Sequence, residues 1–207
     1  MSLILQGSTS GSVTLQEPAV AGTTVLTLPA TSGNVVVDSA TQTLTNKTIE
    51  GGTVISGTAV ASTSGTSIDF TSIPSWVKRL TVMFNGVSLN GSANIFIQLG
   101  TSGGVVSTGY ISTSNILNNS SGSSGSSSTS GFFVFDGDAA YVLHGTCVIT
   151  LVSSNSFVST HSYRVSTTQI ILGSGSISLG GTLDRVRITT SNGTDTFDAG
   201  TINILYE

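Results

Sequence analysis

The sequence predicts an all-β fold: a short N-terminal β-shaft, its strands intertwined with those of other copies, and then a C-terminal β-sandwich of jelly-roll type. Three observations carry this. Charged residues are only 8% of the chain while 38% are hydrophobic, with Gly, Ser and Thr making up most of the polar remainder; low charge with many Val, Ile and Thr favours strands. Short apolar runs alternate with a period of two, as in Asp184–Thr190 and Thr201–Tyr206. No stretch combines helix formers with a 3.6-residue period for long enough to make a helix.

From the start, Met1 to Asp69 contains no Phe, Tyr or Trp, and Phe70 is the first aromatic residue. Its apolar content is a set of short runs, Leu3-Ile4-Leu5, Val25–Leu28, Val35-Val36-Val37 and Val54-Ile55, separated by Gly, Ser, Thr and Pro. Strands this short bury too little area to offset roughly 1–2 kcal/mol of backbone entropy per ordered residue. The segment is therefore either disordered or folded against copies of itself, and the apolar runs favour the second. The boundary is expected near Ser62–Ser67, giving a segment 1–63 for attachment and shaft and a head domain 64–207.

In the head domain, strands are expected at Ser67–Ser72, Val77–Phe84, Asn94–Leu99, Val105–Ser112, Gly131–Phe135, Thr146–Val152, Phe157–Val165 and Gln169–Leu172. The closing pair brings the total to about ten, at a spacing suited to a sandwich. Asn85-Gly86, Asn90-Gly91 and Asn192-Gly193 carry the positive-φ chemistry of chain reversal. Phe70, Trp76, Phe84, Phe96, Phe132, Phe133 and Phe135 are the core aromatics. Asn118 to Gly131, NNSSGSSGSSSTSG, reads as a solvated flexible loop; the competing reading is an exposed tip whose amides and hydroxyls meet sugars.

A net charge of −4 with six Lys and Arg argues against binding nucleic acid through its backbone. No apolar run reaches the length of a membrane helix, and Met1–Ser8 lacks the basic start and apolar core of a secretion signal, so no membrane insertion and no export by the Sec route are expected. Cys147 is the single cysteine, which excludes an intrachain disulfide and a Cys-based metal framework.

Ser10–Val37, with Pro18-Ala19-Val20-Ala21-Gly22 and Thr27-Leu28-Pro29, and Ala40–Val60, with Leu44-Thr45-Asn46-Lys47-Thr48-Ile49, resemble connecting modules of bacteriophage tail fibre and tail appendage proteins. Ile73–Phe84, Leu183–Ile188 and Asp198–Glu207 resemble a C-terminal domain common in phage tail proteins, and the likeness is weakest across Asn115–Ser166. The resemblance implies a virion appendage assembled in the host cytoplasm, a homotrimer whose N-terminal segment contacts other virion proteins and whose β-domain faces the host surface. It implies no catalytic residue. Two other readings stay open: a capsid-surface fibre or decoration protein of the same build, and a tailspike that cuts polysaccharide, for which no coil-length repeat is visible.

Candidate chemistry is sparse, and no catalytic, cofactor or metal site is expected. His144 and His161 sit in no nucleophile or metal motif, and no Gly-x-Ser-x-Gly supports a Ser-His-Asp triad. Asp136-Gly137-Asp138 lacks the further ligands of a calcium loop and reads as a turn. Asp195 and Asp198, although spaced as a possible carboxylate pair, read as part of a hairpin link. Lys78-Arg79 is too short for a nucleic-acid patch, Arg185 and Arg187 share a polar or intersubunit strand face, and Cys147 reads as a small buried hydrophobe. Host surface carbohydrate is the expected partner of the end loops Asn85–Asn90, Asn115–Gly131 and Asn155–Thr160. Asn85, Asn90, Asn118, Asn119, Asn155 and His161 are the candidate contacts. The rival is that these loops only decorate the tip.

Overall fold

The computed structural model describes residues 3–6, 8–16, 19–20, 22–23, 25, 54–119, 122–134 and 137–207. Phe135, Asp136 and the Thr27-Leu28-Pro29 and Leu44–Ile49 motifs lie outside the described residues. The chain divides into two units, Met1–Thr48 and Ile49–Glu207. The described residues contain strands and no helix, so the all-β expectation holds.

In the first unit, β1 (Leu3–Gln6) and β2 (Ser12–Leu15) form an antiparallel hairpin with Leu3 opposite Leu15 and Gln6 opposite Ser12. Ile4, Leu5 and Val13 remain 55%, 52% and 61% exposed, so the hairpin buries no apolar face of its own.

The second unit holds two antiparallel sheets. The larger has the order β10-β9-β14-β13-β12-β6-β16-β3, with β4 also on β16. Its members are β3 (Ile55–Ser56), β4 (Val60–Ala61), β6 (Arg79–Leu89), β9 (Ile111–Asn118), β10 (Gly122–Ser128), β12 (Leu143–Ser153), β13 (Ser156–Arg164), β14 (Gln169–Ser178) and β16 (Phe197–Tyr206). The smaller has the order β11-β7-β15-β5, with β8 on β7, built from β5 (Ser67–Phe70), β7 (Ile95–Thr101), β8 (Gly104–Val105), β11 (Phe132–Val134) and β15 (Arg185–Thr190). Alternation decides which side chains are buried. In β13, Phe157, Ser159, His161 and Tyr163 are buried while Val158, Thr160, Ser162 and Arg164 are exposed.

The inward faces of both sheets contribute to one apolar cluster, which is sandwich-like packing. Val82, Phe84, Ile149, Ile171 and Ile204 come from the larger sheet, and Ile95, Ile97, Leu99, Phe132, Val186 and Ile188 from the smaller. Tyr110 stands edge-on to Phe132 with ring centroids 5.1 Å apart, and its hydroxyl accepts a 2.7 Å hydrogen bond from Leu99 N–H. That phenol gains its packing area without leaving its oxygen unpaired.

Several sequence expectations are corrected. Asn85-Gly86 does not reverse the chain, because β6 runs on to Leu89. Val87 faces Leu143 and Asn85 faces His144, so Gly86 is the extra residue of a β-bulge. Its φ of 71° is the conformation such a bulge requires. Asn192-Gly193 does turn the chain, but the runs on either side join different sheets: β15 pairs with β7 and β5, whereas β16 lies between β6 and the short β3 and β4. The link is an arch between layers, not a hairpin. The tract after Asn119 is also ordered in part, since Gly122–Ser128 forms β10 and pairs with Ser112–Asn118. Trp76 is 47% exposed and rests on Tyr206 instead of entering the core.

Residues 54–63, assigned by sequence to the N-terminal segment, fold with the second unit. Ile55 pairs with Tyr206 and Val60 with Ile202, and Ser62 Oγ donates to Ala199 O at 2.7 Å.

Candidate binding cleft

The antiparallel order places the C-terminal ends of β6, β9 and β13 at one end of the larger sheet. There Leu117 pairs with Ile170 and Ile170 with Arg164, so these three side chains share the outward face in one cross-strand row. The turn from β13 to β14 is held by its own hydroxyls. Ser166 Oγ donates to Gln169 Oε1 at 3.1 Å and accepts from Thr168 N–H at 3.2 Å. Asn119 N–H donates to Thr168 O at 3.1 Å, which ties the end of β9 to that turn.

These residues line an open cleft of about 460 Å³, with Leu117 and Ile170 as its apolar floor and Asn118, Asn119, Gln169, Thr167 and Thr168 as hydrogen-bonding groups. Arg164 is its only cation, and no acid pairs with Arg164 among the described residues. A second, smaller cleft of about 200 Å³ lies beside Val54, Thr81 and Leu205, but its arginine, Arg79, is paired with Glu207. The two arginines on the smaller sheet are paired too, Arg185 with Asp184 and Arg187 with Asp69. Arg164 thus offers an unneutralised charge in a concave, polar setting.

The candidate contacts divide around this cleft. Asn118 and Asn119 line it. Asn85 lies in a strand, but it extends the same row: it faces His144, which faces Arg164. Two strand spacings put it roughly 10 Å from Arg164. Asn90 is at the same end of the sheet, and its Oδ1 accepts from Thr196 N–H at 2.8 Å, which holds the link after β6 against the link before β16. Asn155 is at the opposite end, in the tight turn from β12 to β13, where Ser154 has a φ of 48°. The expected loop Asn155–Thr160 is mostly strand.

His161 is corrected outright. It is 5% exposed on the inward face of β13 and offers a receptor no surface. Its Nε2 lies 3.0 Å from Ser114 Oγ, and Gly173 opposite leaves room for the ring, since a Cβ there would come within 2.3 Å of Cε1. Burial pulls the imidazole pKa down to about 4, so the ring is neutral at physiological pH. The Ser114–His161 pair has the residue types of a nucleophile and its base, yet both are buried and no hydrogen bond reaches Nδ1. It acts as a core hydrogen bond. Cys147 is buried as expected, its thiol pushed up to about 12 by desolvation.

Asp195 and Asp198, the other candidate carboxylates, are taken up by local structure: Asp195 Oδ2 accepts from Ala93 N–H at 2.8 Å, and Asp198 Oδ1 accepts from Ser88 Oγ. Sequence reasoning missed Arg164. The available signal was its place at the end of an alternating run with no acid within several residues. Comparison with protein-family models, with curated proteins and with solved structures gave no match.

Proposed function

We propose that the chain is a non-enzymatic structural protein of a bacteriophage virion, of tail fibre type, which assembles as a homotrimer and turns its β-domain toward the host surface. The observation that carries this reading is the cleft at the ends of β9 and β13. Its amides and hydroxyls stand at strand ends and in the turns beside them, where binding groups are presented without loss of stability. The resemblance of the connecting motifs to phage tail appendages supplies the biological setting. The exposed Ile4, Leu5 and Val13 of the first unit support association between copies. In this reading the first unit serves trimerisation and attachment to other virion proteins, and surface carbohydrate is the partner of the second.

Three linked copies raise weak single-site binding by on the order of 10²–10⁴ where geometry allows simultaneous engagement. The purified full-length protein is therefore expected to compete with phage for adsorption to host cells. Replacing Asn119 and residues 166–168 together by Ala should abolish that competition while the protein stays folded. Unchanged adsorption at saturating wild-type protein would overturn the receptor role.

A further inference from the structure

We propose that the cleft around Arg164 binds a singly anionic saccharide unit through its carboxylate, as in a uronic or sialic acid residue of a surface glycan. This rests on the receptor-binding reading above and narrows its ligand class.

The chain has few cations and a net charge of −4, so its surface does not attract polyanions in general. Among the arginines of the second unit, Arg79, Arg185 and Arg187 each have an acidic partner, and Arg164 has none among the described residues. An arginine fork matches a carboxylate in two parallel hydrogen bonds, and such charge-assisted pairs are about twice as strong as neutral ones. One cation without a second nearby fits a ligand group of one negative charge.

The surroundings fit a sugar ring. Leu117 and Ile170 are 39% and 42% exposed and lie in register beside Arg164. They form an apolar strip that would cover the C–H face of a pyranose. Asn119, Thr168 and Gln169 stand around the same cleft and supply donors and acceptors for ring hydroxyls. An apolar floor, a few convergent polar groups and one charge is the usual composition of a small-ligand site. The turn that carries these groups is bonded within itself, so little ordering cost falls on binding.

The test is titration of the full-length protein, followed by NMR or calorimetry, with a panel of short acidic oligosaccharides. The panel holds oligogalacturonates and sialyl-oligosaccharides, each with its methyl ester as the neutral counterpart, and sugar phosphates. The acids should bind at least tenfold more tightly than their esters, and less tightly as salt rises. Arg164→Gln should weaken acid binding by roughly 10–100-fold and leave ester binding unchanged, with Arg164→Lys in between. Arg164 is exposed, so both variants should keep the wild-type unfolding transition.

The proposal is overturned if no acid binds better than its ester, or if Arg164→Gln leaves acid binding intact. Tighter binding of sugar phosphates than of carboxylates would overturn the carboxylate assignment. The outcome also separates this inference from the reading beneath it. Arg164-dependent acid binding in a protein that does not compete for adsorption would leave the cleft standing and remove the receptor role. Competition that survives Arg164→Gln would keep the receptor role and overturn the carboxylate as the ligand that serves it.

Discussion

Two hairpins in this chain invert what their compositions predict. β1–β2 is rich in Leu, Ile and Val, yet Ile4, Leu5 and Val13 are all more than half exposed. In β9–β10 the second strand, GSSGSSS, has almost no side chain to bury, yet it pairs along its whole length as the edge of a large sheet. The difference lies in what stands behind each. β9 is bonded on its other side to β14, and its inward Ser112, Ser114 and Ile116 are covered by the opposing layer. β1–β2 leaves Ile4, Leu5 and Val13 exposed, and a lone two-stranded hairpin is marginal in water. A strand's stability is thus decided by its neighbours, and the apolar hairpin is the one that calls for a partner.

Oligomeric state tests that need. The full chain should sediment as a trimer at micromolar concentration, and a chain begun at Ile49 should fold as a monomer. A chain begun at Ser64 should be less stable than one begun at Ile49, because it loses the Ile55–Tyr206 and Val60–Ile202 pairings and the Ser62 hydrogen bond. Monomeric full-length protein would show that the exposed hairpin needs no cover.

Within the second unit, Phe132→Ala should cost about 3–5 kcal/mol, because it empties fully buried volume beside Tyr110. Ser126→Ala on exposed β10 should stay within about 0.5 kcal/mol. Urea unfolding of both variants reads the difference directly. Equal losses would mean that β10 is held by more than its ladder with β9.

How legible all this was in the sequence depended on how far each signal reached. Period-two runs such as Phe157–Val165 showed their own buried faces, so the all-β class and most strands of the second unit could be read. Sheet membership could not: Arg185–Thr190 and Phe197–Tyr206 look like a hairpin, and only long-range pairing sends them to different layers. Glycine was ambiguous for a similar reason. Asn85-Gly86 carries turn chemistry, but a positive φ serves a bulge as well as a reversal. Asn118 and Asn119 were legible as site candidates because amides in a polar link are natural contacts. Arg164 was not, because the lack of an acidic partner among the described residues depends on which strands meet in space.

His161 makes the stability of the second unit depend on pH. Its folded pKa of about 4 lies below the ordinary value of 6.5, so the unfolded chain binds the proton more readily. Its contribution to stability is complete above about pH 6.5 and is lost as pH falls toward 4, by about 3 kcal/mol in all. Thermal unfolding across that window should show the loss in the wild type and a flatter profile in His161→Gln. The Gly173→Ala variant, which crowds the ring, should be destabilised at every pH. A wild-type profile unchanged by His161→Gln would show that other groups set the acid sensitivity.

The smallest effect separates paired from unpaired arginine. Arg187 and Asp69 form a two-pronged ion pair, with both hydrogen bonds at 2.7 Å, between neighbouring strands of the smaller sheet. Their side chains are 38% and 37% exposed, so water and salt screen most of the attraction. Arg187→Gln should therefore cost only about 0.2–1 kcal/mol, toward the upper end because the fork geometry is good. A double-mutant cycle with Asp69→Asn should assign most of that to the pair and show it shrinking in high salt. Arg164→Gln should fall near zero in the same assay, since that guanidinium has no acidic partner among the described residues. If the two substitutions cost the same, Arg164 is engaged by the fold itself, and its charge is not free for a ligand.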